Sequence, residues 1–148
     1  MNKLTANAKI GILQPIEKVY HAIIDPKHLC NYFLKESSGF LETGVSIEWQ
    51  FPEFPDKFPI DVKQVIPNEY ISFDWSNGGE NQLVIIKLQA LNNQTTTVEV
   101  IEQEMMPTEE GIELMKQQTE GWSYFLACLK AYVEYGINLR KGAFDYRF

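Results

Sequence analysis

The chain is poor in the residues that build covalent or metal frameworks. It has two cysteines, Cys30 and Cys128, and two histidines, His21 and His28, in 148 residues. Cys128 falls among apolar residues at helical spacing, so it reads as a buried thiol rather than half of a disulfide. No spacing of Cys, His or carboxylate resembles a closed zinc site, and no metal or other cofactor is expected. His28 and Cys30 stand two positions apart on a short helical stretch, where side chains diverge, so they are not read as base and nucleophile. There is no Gly-rich phosphate loop; Gly78-Gly79 follows Asn77 and reads as a hairpin turn. Positive charge is scarce too. Thirteen Lys and Arg against 20 Asp and Glu leave a net charge of −7, which disfavours nucleic acid and anionic membranes. No apolar run approaches the ~18 residues of a membrane span, so membrane insertion is not expected. Residues 1–7 lack the apolar centre of a secretion signal, and a reducing cytoplasm fits these absences.

What the chain does have is patterned apolar residues. At 148 residues it can build one real core, and aromatics at 13% favour β structure and large internal surfaces. Residues 108 to about 135 carry the clearest pattern. Ile112, Met115, Thr119, Trp122, Leu126, Leu129 and Val133 recur at steps of three and four, the mark of one helix face. Thr108 suits the N-cap, and Glu109 and Glu110 suit the positive end of the helix dipole. So wide an apolar face needs a partner surface.

The partner is predicted to be a sheet. Leu4, Ala6, Ala8, Ile10 and Ile12 alternate with polar residues or glycine as a strand does. Pro15 suits the first position of a short helix, and Asp25-Pro26 starts a second, with a corner at Asp25. Six strands are then expected: Phe40-Leu41, 45–51, 60–66, 70–75, 83–91 and 95–105. The stretch Phe51-Pro-Glu-Phe-Pro-Asp-Lys-Phe-Pro59 is a stiff loop, and the closely spaced turns imply an antiparallel meander. The predicted class is α+β: a curved seven-stranded antiparallel sheet wrapped around a long C-terminal helix, with two short helices between strands 1 and 2. Residues 1–137 form the single domain, and 138–148 a tail.

A curved sheet closing over one helix leaves a hollow wherever side chains do not meet. Its predicted lining is Trp49, Phe51, Phe73, Trp75, Ile86, Val98 and Val100 from the strands, with Met115 and Trp122 from the helix. Such a hollow has the apolar composition of a small-molecule pocket. For Trp49, Trp75 and Trp122 the readings as core and as pocket wall do not exclude one another.

Three stretches carry a family resemblance. They are Pro15-Ile-Glu-Lys-Val-Tyr-His-Ala-Ile-Ile-Asp-Pro-Lys-His-Leu-Cys-Asn-Tyr-Phe33, Val62-Lys-Gln-Val-Ile-Pro-Asn-Glu-Tyr-Ile-Ser-Phe-Asp-Trp75 and Gly121-Trp-Ser-Tyr-Phe-Leu-Ala-Cys-Leu-Lys-Ala-Tyr-Val133. The order of elements resembles the START-like, birch-pollen-allergen-like helix-grip fold (SRPBCC). Within it, these stretches resemble homologues of the activator of the heat-shock protein 90 ATPase, from about Leu4 to Tyr135. The family often has Trp-Phe where this chain has Tyr32-Phe33, and Gly-Gly where it has only Gly44. The Pro-rich loop from Phe51 to Pro59 is not a hallmark of the family. These departures bear on the shape of the pocket mouth. The resemblance implies binding of apolar ligands, with cyclisation or hydrolysis in some members of the superfamily.

Carboxylates are the remaining acid–base candidates. Glu48 and Asp74 face outward by alternation. Glu102 and Glu104 share parity with the inward Val98 and Val100, so either a bulge or open rim turns the strand end over, or a carboxylate faces the cavity. The bulge or rim is the preferred reading. An inward Glu102 would be desolvated, its pKa raised, and it would make a usable general acid. In the tail, Phe144, Tyr146 and Phe148 alternate with Asp145 and Arg147. Exposed aromatics at a chain end are costly, so they are expected to dock on this domain or on a second copy, which makes a homodimer through the tail one expectation.

The leading functional reading is non-catalytic binding of a small apolar ligand of unknown identity. The second is a chaperone-associated interaction protein. The third is a cyclase or hydrolase acting through a carboxylate such as Glu102.

Overall fold

The computed structural model describes residues 2–76 and 82–147. Its elements run β1 (Leu4–Ile12), α1 (Ile16–Ile24), α2 (Pro26–Leu29), β2 (Glu36–Ser37), β3 (Ser46–Gln50), β4 (Phe58–Ile66), β5 (Tyr70–Asp74), β6 (Leu83–Asn92), β7 (Thr95–Met105) and α3 (Glu109–Tyr135), with a last 3-10 turn at Asp145–Arg147. The seven strands form one antiparallel sheet in the order β1-β7-β6-β5-β4-β3-β2. The expected α+β class and sheet-on-helix arrangement are both present. The turn expected at Asn77-Gly78-Gly79 lies outside the described residues.

Period-two alternation sends one side of each strand inward. One cross-strand row reads Val62, Phe73, Val84, Glu102 and Ala6; the next reads Ile71, Ile86, Val100 and Ala8. All nine side chains are buried. Helix α3 packs chiefly over β1 and β7. The small Ala6 and Ala8 let it approach the edge strand closely, as their size suggests.

Thr108 caps α3 as predicted, its Oγ1 accepting from Gly111 N at 3.1 Å. Gly111 is required there, because a Cβ would collide with the Met106 carbonyl. Gly136 ends the helix in the left-handed conformation at φ 68°, a geometry that other residues adopt at a cost. Asp25 both ends α1 and caps α2, accepting from Lys27 N at 2.9 Å. Pro15 stands at the N-cap of α1, one place before its predicted position.

One strand expectation and one helix expectation need correction. Phe40-Leu41 is not a strand; the short edge strand is Glu36–Ser37, paired with Gln50 and Trp49. Leu41 is buried but Phe40 is exposed, so that pair covers the core as loop. Pairing needs only backbone groups, and a two-residue strand has no periodicity to read. The apolar stripe of α3 also begins late. Ile112 is exposed, Met115 and Thr119 are half-buried, and continuous burial starts at Trp122. The first three turns overhang the sheet instead of lying flat on it.

Both cysteines are free thiols, Cys128 fully buried and Cys30 half-buried. No helix among the described residues is long and apolar enough to cross a membrane.

The far end of α3 is tied to β1 by charge. Glu134 Oε2 accepts from Leu13 N at 2.9 Å and pairs with Lys130, whose Nζ also donates to Gly11 O at 2.9 Å. Burial pulls the Glu134 carboxyl upward, but the Lys130 ammonium and the Leu13 N–H outweigh it and hold the group below its ordinary value. A depressed folded-state pKa stabilises the fold above the ordinary carboxylate value, and that stability is lost as pH falls through the folded value. Stability followed by urea titration should therefore drop below about pH 4.5. Glu134→Gln should flatten that part of the profile, and an unchanged acid limb would remove Glu134 from the account.

Candidate functional site

The overhang of α3 leaves a cleft on one side of the helix, with a volume of about 590 Å³. Helix residues Gln117, Gln118, Gly121, Trp122 and Tyr124 form one wall. Trp75, at the end of β5, forms the floor with Phe33. Phe51, Glu53 and Phe54 of the Pro-rich loop form the opposite side, and Arg140, Phe144 and Arg147 of the tail close one end.

The walls are an aromatic lattice. Trp75 and Trp122 lie 5.3 Å apart between centroids, Phe33 and Phe51 5.2 Å, and Phe33 and Phe125 4.7 Å. Such pairs gain from quadrupole geometry as well as from burial. Gln50 holds the Pro-rich loop in place, its Nε2 donating to Phe54 O at 3.0 Å and Pro55 O at 3.2 Å.

Behind this wall sits Glu102. Its side chain faces inward and is fully buried. Oε1 accepts from Trp122 Nε1 at 2.8 Å and from Gln118 Nε2 at 2.9 Å; Oε2 accepts from Trp75 Nε1 at 3.4 Å and from Gln118 Nε2 at 3.1 Å. The preferred sequence reading, a bulge or rim that turns Glu102 out, is therefore corrected. The strand does bulge, but one step later: Thr5 pairs with Gln103 and Leu4 with Met105, so Glu104 is the extra residue. Glu104 points out to Lys3 at 3.1 Å, and Met105 turns in. Ala6, directly across from Glu102, leaves room for the carboxylate.

Glu102 borders a shallower hollow of about 270 Å³ near the start of α3, and it is not part of the aromatic cleft. Between it and the cleft stand the two indoles that it holds. What it does is fix the rotamers of Trp75 and Trp122, and with them the shape of the wall.

Of the nine residues predicted to line a cavity, Phe51, Trp75 and Trp122 border the cleft. Trp49, Phe73, Ile86, Val98 and Val100 are buried in the core cluster, and Met115 is half-buried on the overhanging part of α3. The hollow expected between sheet and helix is filled by these side chains, and the open space is displaced toward the Pro-rich loop and the tail. Phe33, Glu53, Tyr124, Arg140 and Phe144 also line it and are not among the residues the sequence pattern names. The signals that bear on them are the alternating aromatics of the tail and the aromatic composition of the loop.

The tail docks on its own domain. Asn138 Oδ1 accepts from Arg140 N and Lys141 N at 3.0 and 3.1 Å, turning the chain back toward the cleft. Tyr124 OH donates to Leu139 O at 3.1 Å, and Phe144 meets the Tyr124 ring at 5.3 Å. Burial pushes the Tyr124 hydroxyl up to about 12, so it remains a donor at any ordinary pH. Arg140 binds the Glu53 carboxylate through Nε at 3.2 Å and Nη2 at 2.6 Å. Its guanidinium lies over Phe51 at 4.9 Å, Phe144 at 5.2 Å and Phe33 at 5.5 Å. Tyr146 stays exposed, and Phe148 lies outside the described residues.

His28 shares a hydrogen bond with Tyr132 OH at 2.7 Å. No group of three or more His, Cys, Asp or Glu among the described residues is arranged to hold a metal ion.

A family model described as Activator of Hsp90 ATPase homolog 1-like protein matches residues 14–134. Among solved structures, a crystal structure of a protein from Staphylococcus saprophyticus is similar, with 26% identity and a TM-score of 0.82 over 93% of this chain and 96% of that one. The solution structure of an Aha1 dimer from Colwellia psychrerythraea is 24% identical, with a TM-score of 0.76 over 90% of this chain and 98% of that one. A solution structure from Bacillus halodurans is 23% identical at a TM-score of 0.76, covering 90% of this chain and 100% of that one. The last two likenesses show the shared fold. No curated protein matches the chain in sequence.

Proposed function

The chain belongs to the Activator of Hsp90 ATPase homolog 1-like family, and from that premise we propose that it binds a small, largely apolar ligand without transforming it. The observation that carries this reading is the aromatic cleft beside α3. Its volume of about 590 Å³ falls within the ~300–1,000 Å³ of small-molecule sites. Seven of its fourteen lining residues are aromatic, and six polar or charged side chains (Glu53, Gln117, Gln118, Glu120, Arg140 and Arg147) are available to orient a guest. Glu102 supports a binding role rather than a catalytic one, because both its oxygens are engaged by Trp122, Gln118 and Trp75 behind the wall.

Native mass spectrometry after gentle purification tests the proposal. A non-covalent adduct that is lost on denaturation is expected. Gly121 borders the cleft, and a Cβ added there meets nothing within 4 Å. Gly121→Trp should therefore direct an indole into the cleft from an unstrained Cβ, remove the adduct and leave the thermal midpoint within a few degrees. An adduct retained in full by that variant would place the ligand elsewhere.

A second reading comes from the family itself: engagement of the large chaperone whose ATPase names it. The chaperone's ATPase rate, with and without this protein, decides it. A rate unchanged at saturating protein would end that reading and leave the cleft untouched.

A further inference from the structure

The tail brings something into the aromatic cleft that a plain apolar ligand would not need. Arg140 is largely buried, its side chain 12% exposed. Glu53 engages its Nε and Nη2, one side of the guanidinium fork. The Nη1 amino group has no acceptor among the described residues, and Arg140 borders the cleft. A guanidinium carries five N–H donors, and those that Glu53 leaves unpaired are not sealed from solvent, since the buried polar side-chain atoms without a partner among the described residues are Trp49 Nε1 and Asn68 Oδ1; they are open to an incoming acceptor. Arg147 borders the same cleft, stacked on Phe144 at 4.5 Å, and has no carboxylate partner among the described residues. Of the two carboxylates on the cleft, Glu53 is spent on Arg140 and Glu120 is exposed at the rim.

Accepting the cleft as a ligand site, we propose that its ligand is a planar aromatic acid. The ring would lie against Trp75, Trp122 and Phe51. The carboxylate would take the free side of the Arg140 fork, with Arg147 adding a second positive charge. Charge-assisted, bidentate contacts of this type are the strong ones. The tail then belongs to the site, as the wall that supplies its positive charge. It is anchored by the Arg140–Glu53 pair and the Phe144–Tyr124 contact, so an incoming carboxylate competes with Glu53 for one guanidinium.

The test uses the full chain with two matched probes, 2-naphthoate and its neutral counterpart 2-naphthylmethanol. Binding is followed by calorimetry and by emission of the cleft tryptophans. The acid should bind about tenfold more tightly than the alcohol. Arg140→Gln should abolish that preference, with folding checked by circular dichroism. Arg147→Gln, which leaves the anchor intact, should reduce it several-fold. Glu53→Gln should tighten the acid about threefold by removing its competitor, whereas a purely structural anchor predicts weaker or unchanged binding. Equal affinity for acid and alcohol would overturn the acid and leave the cleft reading standing. Binding of neither probe would overturn both.

Discussion

Trp122→Ala is expected to cost about 3–5 kcal/mol, as large-to-small replacements of buried aromatics do. Against a typical domain stability of ~5–15 kcal/mol, that is a large fraction, and the thermal midpoint should fall by on the order of 10 °C. Trp122 is the point where α3 stops overhanging and starts to pack. It is 3% exposed and meets Trp75, Phe125, Phe33 and Phe73 at centroid distances of 5.3 to 6.5 Å. Deleting it removes apolar area and leaves a hole that these four rings cannot collapse into. Trp122→Phe should cost less, about 1–2 kcal/mol, because it keeps one aromatic ring while losing the N–H to Glu102 and part of the indole volume. Urea denaturation checks both, with an unchanged slope showing that the transition remains two-state. A loss below about 1 kcal/mol for the alanine variant would mean that the ring carries little packing, contrary to its burial.

The helix and the sheet were legible in the sequence because their signals are periodic. Strand β1 and strand β7 have the predicted limits, and α3 has nearly the predicted ones. Periodicity reports only which side of an element is apolar. It does not say how far that side is covered, so Ile112 fits the stripe of α3 and still lies exposed. The same limit applies to the cleft. Trp49 and Phe73 alternate in phase with Phe51 and Trp75, yet the first two fill the core and the last two border open space. Position along a curved strand separates them, and alternation cannot express it. The Pro-rich loop has no period, and the tail's alternation says only that one side of it is aromatic, so nothing in either predicts that Glu53 meets Arg140 across 87 positions of sequence. Glu102 failed for a different reason. A buried carboxylate is costly unless satisfied, and its three donors come from residues 27, 16 and 20 positions away. Only their convergence makes the inward orientation stable, and the strand pattern, which points inward, cannot show that convergence.

Removing that carboxylate should be about as damaging as removing the indole. Glu102→Ala leaves two indole N–H groups and one amide without their acceptor, Trp122 buried and Trp75 and Gln118 half-buried. Each such orphan costs roughly 1–3 kcal/mol, so a loss of about 3–5 kcal/mol is expected. Glu102→Leu separates the causes, since it restores apolar volume but still strands the three donors. It should remain destabilised by at least about 2 kcal/mol. If the donors are the cause, removing them should bring stability back. Adding Trp122→Phe and Gln118→Leu to Glu102→Leu removes two of the three, and the triple variant should recover part of the loss despite carrying more changes, because deleting both partners of a buried bond can be nearly neutral. The interaction energy between positions 102 and 122 should fall within the ~0.5–3 kcal/mol seen for contacting residues. Tryptophan emission gives an independent readout. With the acceptor gone, Trp75 and Trp122 should sample other rotamers and emit to the red, and the cleft wall that they form should loosen. A neutral Glu102→Leu with unshifted emission would show that the indoles are held by packing alone and that the carboxylate is a passenger behind the wall.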